Sequence, residues 1–155
     1  MTTKQFLLLP YGKDVYSELK NKGCYFVDKT PYLKNIIDED ESNVMLFTRP
    51  RRFGKTLFMS MVEYFLKINS SNPGDTTLQQ KLFKDTKILD DQEFCKKYMG
   101  QYPVICLTLK GVQGDDFEDA YYKLAEVVSA KADEYSFLKD SPALDKKEKA
   151  KFDKL

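Results

Sequence analysis

Histidine is absent from this chain. That removes the commonest general base near neutral pH and the commonest protein ligand for transition metals. No Ser-His or Cys-His nucleophilic centre can be assembled from these residues. Tryptophan is also absent, and cysteine is scarce: Cys24, Cys95 and Cys106 are far apart, odd in number and never in a Cys-x-x-Cys pair. This spacing suggests neither a zinc site nor a disulfide framework, so the three read as reduced, mostly buried thiols. Long apolar runs are missing too. The stretch Phe6–Leu9 is too short for a signal peptide or a membrane span, and nothing else comes nearer, so no membrane partner is expected and the expected location is the cytoplasm. Neither charge prevails: 25 Lys+Arg face 24 Asp+Glu, so recognition of an anion has to come from local clustering.

What is present suits one globular domain spanning residues 1–155. Helical spacing is read at Asp14–Gly23, with Asp14 as cap; after Thr30-Pro31, with Tyr32, Leu33, Ile36 and Ile37 on one side; and over 56–68, with Leu57, Met61, Tyr64, Phe65 and Ile68 on one stripe. Polar helical stretches are expected near 76–84 and 90–99. A longer helix is expected over 116–135, and a highly charged one at the C-terminus. Two runs read as buried strands, "NVMLFT" (43–48) and "YPVICLTLK" (102–110), because several apolar residues in a row suggest burial on both faces. "CYFV" (24–27) is strand-like but short. Strands alternating with helices predict an α/β fold with a mostly parallel sheet.

Between the first strand and the 56–68 helix stands "TRPRRFGKTLF" (48–58). It ends like a phosphate-binding loop. Gly54 allows close backbone approach, Lys55 supplies a charge for the β- and γ-phosphates, and Thr56 supplies a hydroxyl for Mg²⁺, at the start of a helix whose dipole and free amides face the anion. Arg49 stands where that motif has its first glycine. Pro50 fixes its own φ and pushes Arg49 towards extended geometry, a way to leave a strand without glycine. Arg49, Arg51, Arg52 and Lys55 place four positive charges in seven residues. They suit a triphosphate or nucleic-acid phosphates, or else pair with carboxylates such as those of the acidic run 38–41. Phe53 reads as packing beneath the loop. The candidate nucleotide-contacting set is Arg49, Arg51, Arg52, Phe53, Gly54, Lys55, Thr56 and Leu57, with Thr56 as the metal ligand.

The segments "LPYGKDVYSELKNKGCYFVDKT", "LFTRPRRFGKTLFMSMVEYF" and "YPVICLTLKG" resemble, in this order, the AAA-ATPase-like family of bacterial and archaeal proteins. The resemblance implies a P-loop NTPase-like three-layer sandwich, with ATP and Mg²⁺ bound through Gly54, Lys55 and Thr56. It makes Arg49 a family habit. It also implies a following nuclease-like domain, through which nucleic acid would be a partner. Asp28, Lys29 and Thr30 match a family motif whose role stays open between a place near the nucleotide and a plain helix cap with a surface charge.

An ATPase also needs a carboxylate that holds Mg²⁺ and a group that orients water, usually at the end of a buried strand. Neither "KILDD" (87–91) nor "CYFVD" (24–28) fits as the carrier. The resemblance places the acid-bearing strand beyond residue 155. The chain is therefore expected to bind nucleotide with weak or absent hydrolysis, as the first part of an incomplete domain. Its two strands would then flank a gap, which favours self-association. A nucleic-acid module using the arginine loop and the lysine-rich tail is the rival reading, and a scaffold that has lost nucleotide binding is a third.

Overall fold

The computed structural model describes residues 8–37 and 44–152. The chain forms two compact units, Met1–Val104 and Ile105–Leu155.

The first unit is built on short helices around an aromatic core. α1 (Tyr16–Asn21) and α2 (Tyr32–Ile37) precede the long helix α3 (Lys55–Leu66), and α4 (Thr77–Leu82), a 3₁₀ turn (Lys87–Asp90) and α5 (Gln92–Tyr98) follow. The expected stripe on α3 is real: Met61 and Phe65 are buried, while Leu57 and Tyr64 are half-buried against the core. Phe65 is the hub. Its ring lies edge-on to Phe83 at 5.3 Å and stacks with Phe94 at 5.7 Å. Tyr16 extends the cluster, 4.9 Å from Phe83, and its fully buried hydroxyl donates to the Leu82 carbonyl at 3.2 Å. Burial pushes the Tyr16 phenol well above its usual range. α1 does not use Asp14 as its cap. Its Tyr16 N–H donates instead to the Ser60 hydroxyl at 2.8 Å, which ties α1 to α3.

The second unit is led by α6 (Phe117–Glu134), followed by a 3₁₀ turn (Ser136–Asp140) and α7 (Lys146–Phe152). Asp116 caps α6 by accepting from the Asp119 N–H at 2.8 Å. α7 opens on a reciprocal cap: Asp145 accepts from the Glu148 N–H at 2.8 Å, and the Glu148 carboxylate accepts from the Asp145 N–H at 2.8 Å. The periodicity of α6 gave a helix, but no residue of it is buried.

The expected α/β sandwich with a mostly parallel sheet is overturned. Among the described residues no run forms a strand, and pairing is limited to two isolated bridges, Leu8 with Cys24 and Lys67 with Tyr102. Residues 44–50 and 103–109 have no regular secondary structure and join no ladder. Val44 is 84% exposed and Leu46 82%. A strand is a pairing between backbones, and a row of apolar side chains states only a preference for burial. Of the cysteines, Cys95 is buried and donates its Sγ–H to the Ile88 carbonyl at 3.2 Å; Cys24 and Cys106 are half-buried, and all three are free.

Because Phe65 joins α3 to both Phe83 and Phe94, Phe65→Ala should cost about 3–5 kcal/mol in denaturant unfolding, far more than truncation of exposed Phe117.

Candidate phosphate-binding loop

The chain has no regular structure from Val44 through Pro50, turns over Arg51–Gly54 and enters α3 at Lys55. The turn holds two left-handed residues, Arg52 (φ 67°) and Gly54 (φ 78°, ψ 27°). Arg49 is not one of them. The backbone demand that sequence reasoning placed at Arg49 is met three residues later, at Arg52, where a residue with a Cβ bears roughly 1–2 kcal/mol. Nothing in the sequence pattern marks that position, since the motif leaves it unspecified.

α3 opens with no side-chain cap on Gly54, and its first intrahelical bond is Phe58 N–H to the Gly54 carbonyl at 2.9 Å. The amides of Lys55, Thr56 and Leu57 therefore precede the hydrogen-bonded ladder and are donors for an anion, reinforced by the positive end of a twelve-residue helix. The Lys55 ammonium folds back over the turn. It donates to the carbonyls of Arg49 and Pro50, the latter at 3.2 Å. Thr56 lies exposed at the helix start. Arg49, Arg51 and Arg52 are all exposed, and none forms an ion pair with a described residue. The acidic run 38–41, their suggested partner, lies outside the described residues. Phe53 is 60% exposed, so it does not pack beneath the loop. The ring that does pack is Phe58, edge-on to Phe47 at 5.5 Å.

Asp28 and Thr30 form a clamp that the sequence concealed. One Asp28 oxygen accepts from the Thr30 N–H at 2.9 Å and the Thr30 hydroxyl at 2.7 Å, and the other accepts from the Lys87 N–H at 2.8 Å. Thr30, fully buried, accepts from the Ile88 N–H at 3.2 Å. Together they satisfy the first two amides of the 3₁₀ turn, whose own N-cap offers no side chain. Partial burial would raise the Asp28 carboxyl, but the Lys87 N–H and the Thr30 hydroxyl and N–H outweigh it and hold the group below the usual carboxylate range. Lys29 is exposed beside them. In the run 87–91, Asp91 caps α5 by accepting from the Phe94 N–H at 3.0 Å and pairs with Lys34, whereas Asp90 is exposed. Asp28 and Asp91 are thus occupied in holding the first unit together.

A family model described as Predicted AAA-ATPase matches residues 10–155, nearly the whole chain. The chain belongs to the AAA-ATPase-like family. Nucleotide binding of the ATPase kind is the family-level function this brings. A curated protein of Azotobacter chroococcum mcd 1, described as "Uncharacterized protein in vnfD 5'region", is 25% identical over 122 residues, which is 78% of this chain and 20% of that protein. The chain thus spans about a fifth of the length of the curated relative it matches. No solved structure matches the chain. Among the described residues no helix is long and apolar enough to cross a membrane.

Two stability measurements follow from this geometry. Arg52→Gly should raise stability by up to about 1 kcal/mol, whereas Gly54→Ala should lower it by about 1 kcal/mol although its Cβ would meet no atom within 4 Å. Asp28→Asn should cost roughly 2 kcal/mol at neutral pH through its three hydrogen bonds. The folded-state pKa of Asp28 is depressed, so its contribution is complete above the unfolded value of about 3.9 and is lost as pH falls through the folded value. The gap between wild type and variant in a pH series of denaturation curves should accordingly close on the acid side.

Proposed function

We propose that the loop over Arg49–Leu57 binds a nucleoside triphosphate, ATP by family, together with Mg²⁺. One observation carries the reading: a left-handed turn delivers Gly54, Lys55 and Thr56 to the N-terminus of a helix whose first amides have no acceptor within it. The site's residues fit the ligand. The amides of Lys55, Thr56 and Leu57 donate to phosphate oxygens, and Lys55 exchanges the two carbonyls it now holds for phosphate oxygens of full negative charge. Thr56, exposed at the helix start, would hold Mg²⁺ through its hydroxyl, and the ion would supply positive charge against the phosphates.

The same reading makes this chain a binding device with little hydrolysis of its own, since Asp28 and Asp91 serve as structural acceptors. Hydrolysis by a longer protein that contains this domain belongs to the proposal, as does any action on nucleic acid.

Titration calorimetry decides the point. Mg·ATP should bind wild type, and Lys55→Ala should weaken it roughly tenfold to a hundredfold, the range for one charge-assisted contact. Equal affinity for the two proteins would sink the reading. Binding to DNA or RNA that is steeply salt-dependent and survives Lys55→Ala would favour the rival use of the arginines.

A further inference from the structure

Ser60 is buried in α3 and stands in the middle of a hydrogen-bonded chain. The Tyr16 N–H, at the start of α1, donates to the Ser60 Oγ at 2.8 Å. The Ser60 hydroxyl donates onward to the Leu57 carbonyl at 2.9 Å. That carbonyl shares its peptide with the Phe58 N–H, which donates to the Gly54 carbonyl at 2.9 Å. Every donor points the same way, from α1 towards Gly54, so each bond polarises and strengthens the next. The chain ends on the left-handed residue that opens α3, and it passes through Leu57, whose amide is one of the donors ahead of the helical ladder. A second polar bond joins the same two helices one turn further along α3. The Ser17 hydroxyl donates to the Tyr64 hydroxyl at 2.9 Å, which docks α1 without touching residues 54–57.

Resting on the nucleotide reading above, we propose that Ser60 is a positioning residue for the phosphate-binding loop, through which the docking of α1 sets the aim of the first turn of α3. A serine hydroxyl bonded back to a carbonyl of its own helix bends that helix slightly. Here the bend is fixed from outside. The Ser60 oxygen accepts the buried Tyr16 amide, which leaves its hydrogen for Leu57. Tyr16 is itself held, with its ring 4.9 Å from Phe83 and its hydroxyl on the Leu82 carbonyl. The aromatic core thus reaches the loop by hydrogen bonds as well as by packing. Coupling of this kind is reciprocal, so phosphate held on the Lys55, Thr56 and Leu57 amides tightens the chain back to α1.

The test is Mg·ATP calorimetry in wild type, Ser60→Ala, Tyr64→Phe and Lys55→Ala, with thermal unfolding to show that each variant folds. Ser60→Ala should weaken Mg·ATP roughly threefold to tenfold, the range of one neutral hydrogen bond, although it removes no ligand contact. Tyr64→Phe loses the other bond between α1 and α3 and should change affinity by less than about twofold, which separates positioning from loss of stability. Hydrogen exchange in wild type gives a reading that needs no variant. Mg·ATP should slow the Tyr16 amide more than the Phe94 amide, which is capped by Asp91 in the same unit. The inference is overturned if Ser60→Ala binds as wild type does, if Tyr64→Phe weakens binding equally, or if the two amides slow alike. Those outcomes leave the nucleotide reading intact provided that Lys55→Ala loses binding. If wild type does not bind Mg·ATP, both ideas fall.

Discussion

The burial of Phe65 is what the candidate site depends on. A helix N-terminus works as an anion site only if the helix is fixed, because donors that wander lose their convergence on the ligand. α3 is fixed chiefly along one stripe, with Phe65 between Phe83 and Phe94 and Met61 buried one turn earlier. Ser60, on the same helix, accepts the amide that opens α1. α3 is thereby held from several sides, and Leu57 and Phe58 already pack half-buried against the core. Only its first residues, Lys55 and Thr56, stand exposed ahead of that anchorage.

The helices were legible because a 3.6-residue period needs no knowledge of the partner. Met61 and Phe65 announce the buried side of α3, and Asp116 announces the start of α6. The strands were misread for the complementary reason. Val44–Phe47 has the composition of a buried strand, but pairing is a relation between two segments, and the described residues supply no partner ladder. The clamp at Asp28 and Thr30 was hidden likewise. Its acceptors cap Lys87 and Ile88, nearly sixty residues on, and no local pattern records a bond of that span. The loop itself lay between these extremes. Gly54, Lys55 and Thr56 were named from spacing, whereas the second left-handed residue fell on Arg52.

The electrostatics of the loop explain why Lys55 is folded inward. Four cations in seven residues repel one another, and each gains by facing an anion or a carbonyl oxygen. Lys55 alone satisfies this within the loop, on the carbonyls of Arg49 and Pro50. Pro50 contributes twice, since its ring fixes its own φ just before the turn and its carbonyl is one of the two acceptors. The three arginines are exposed and make no ion pair with a described residue.

The acids settle how the division of labour should be viewed. In the first unit the carboxylates with depressed pKa include Asp28 and Asp91, and in each case the cause is traceable to donors that hold a turn, a helix start or a lysine in place. A carboxylate already accepting several hydrogen bonds gives up that stability if it turns to serve a metal or a water. Asp28 would forfeit the amide of Lys87 and both groups of Thr30, releasing the 3₁₀ turn that seats Ile88 in the core. The first unit therefore commits Asp28 and Asp91 to architecture, whereas the three arginines of the loop stay exposed and make no ion pair with a described residue.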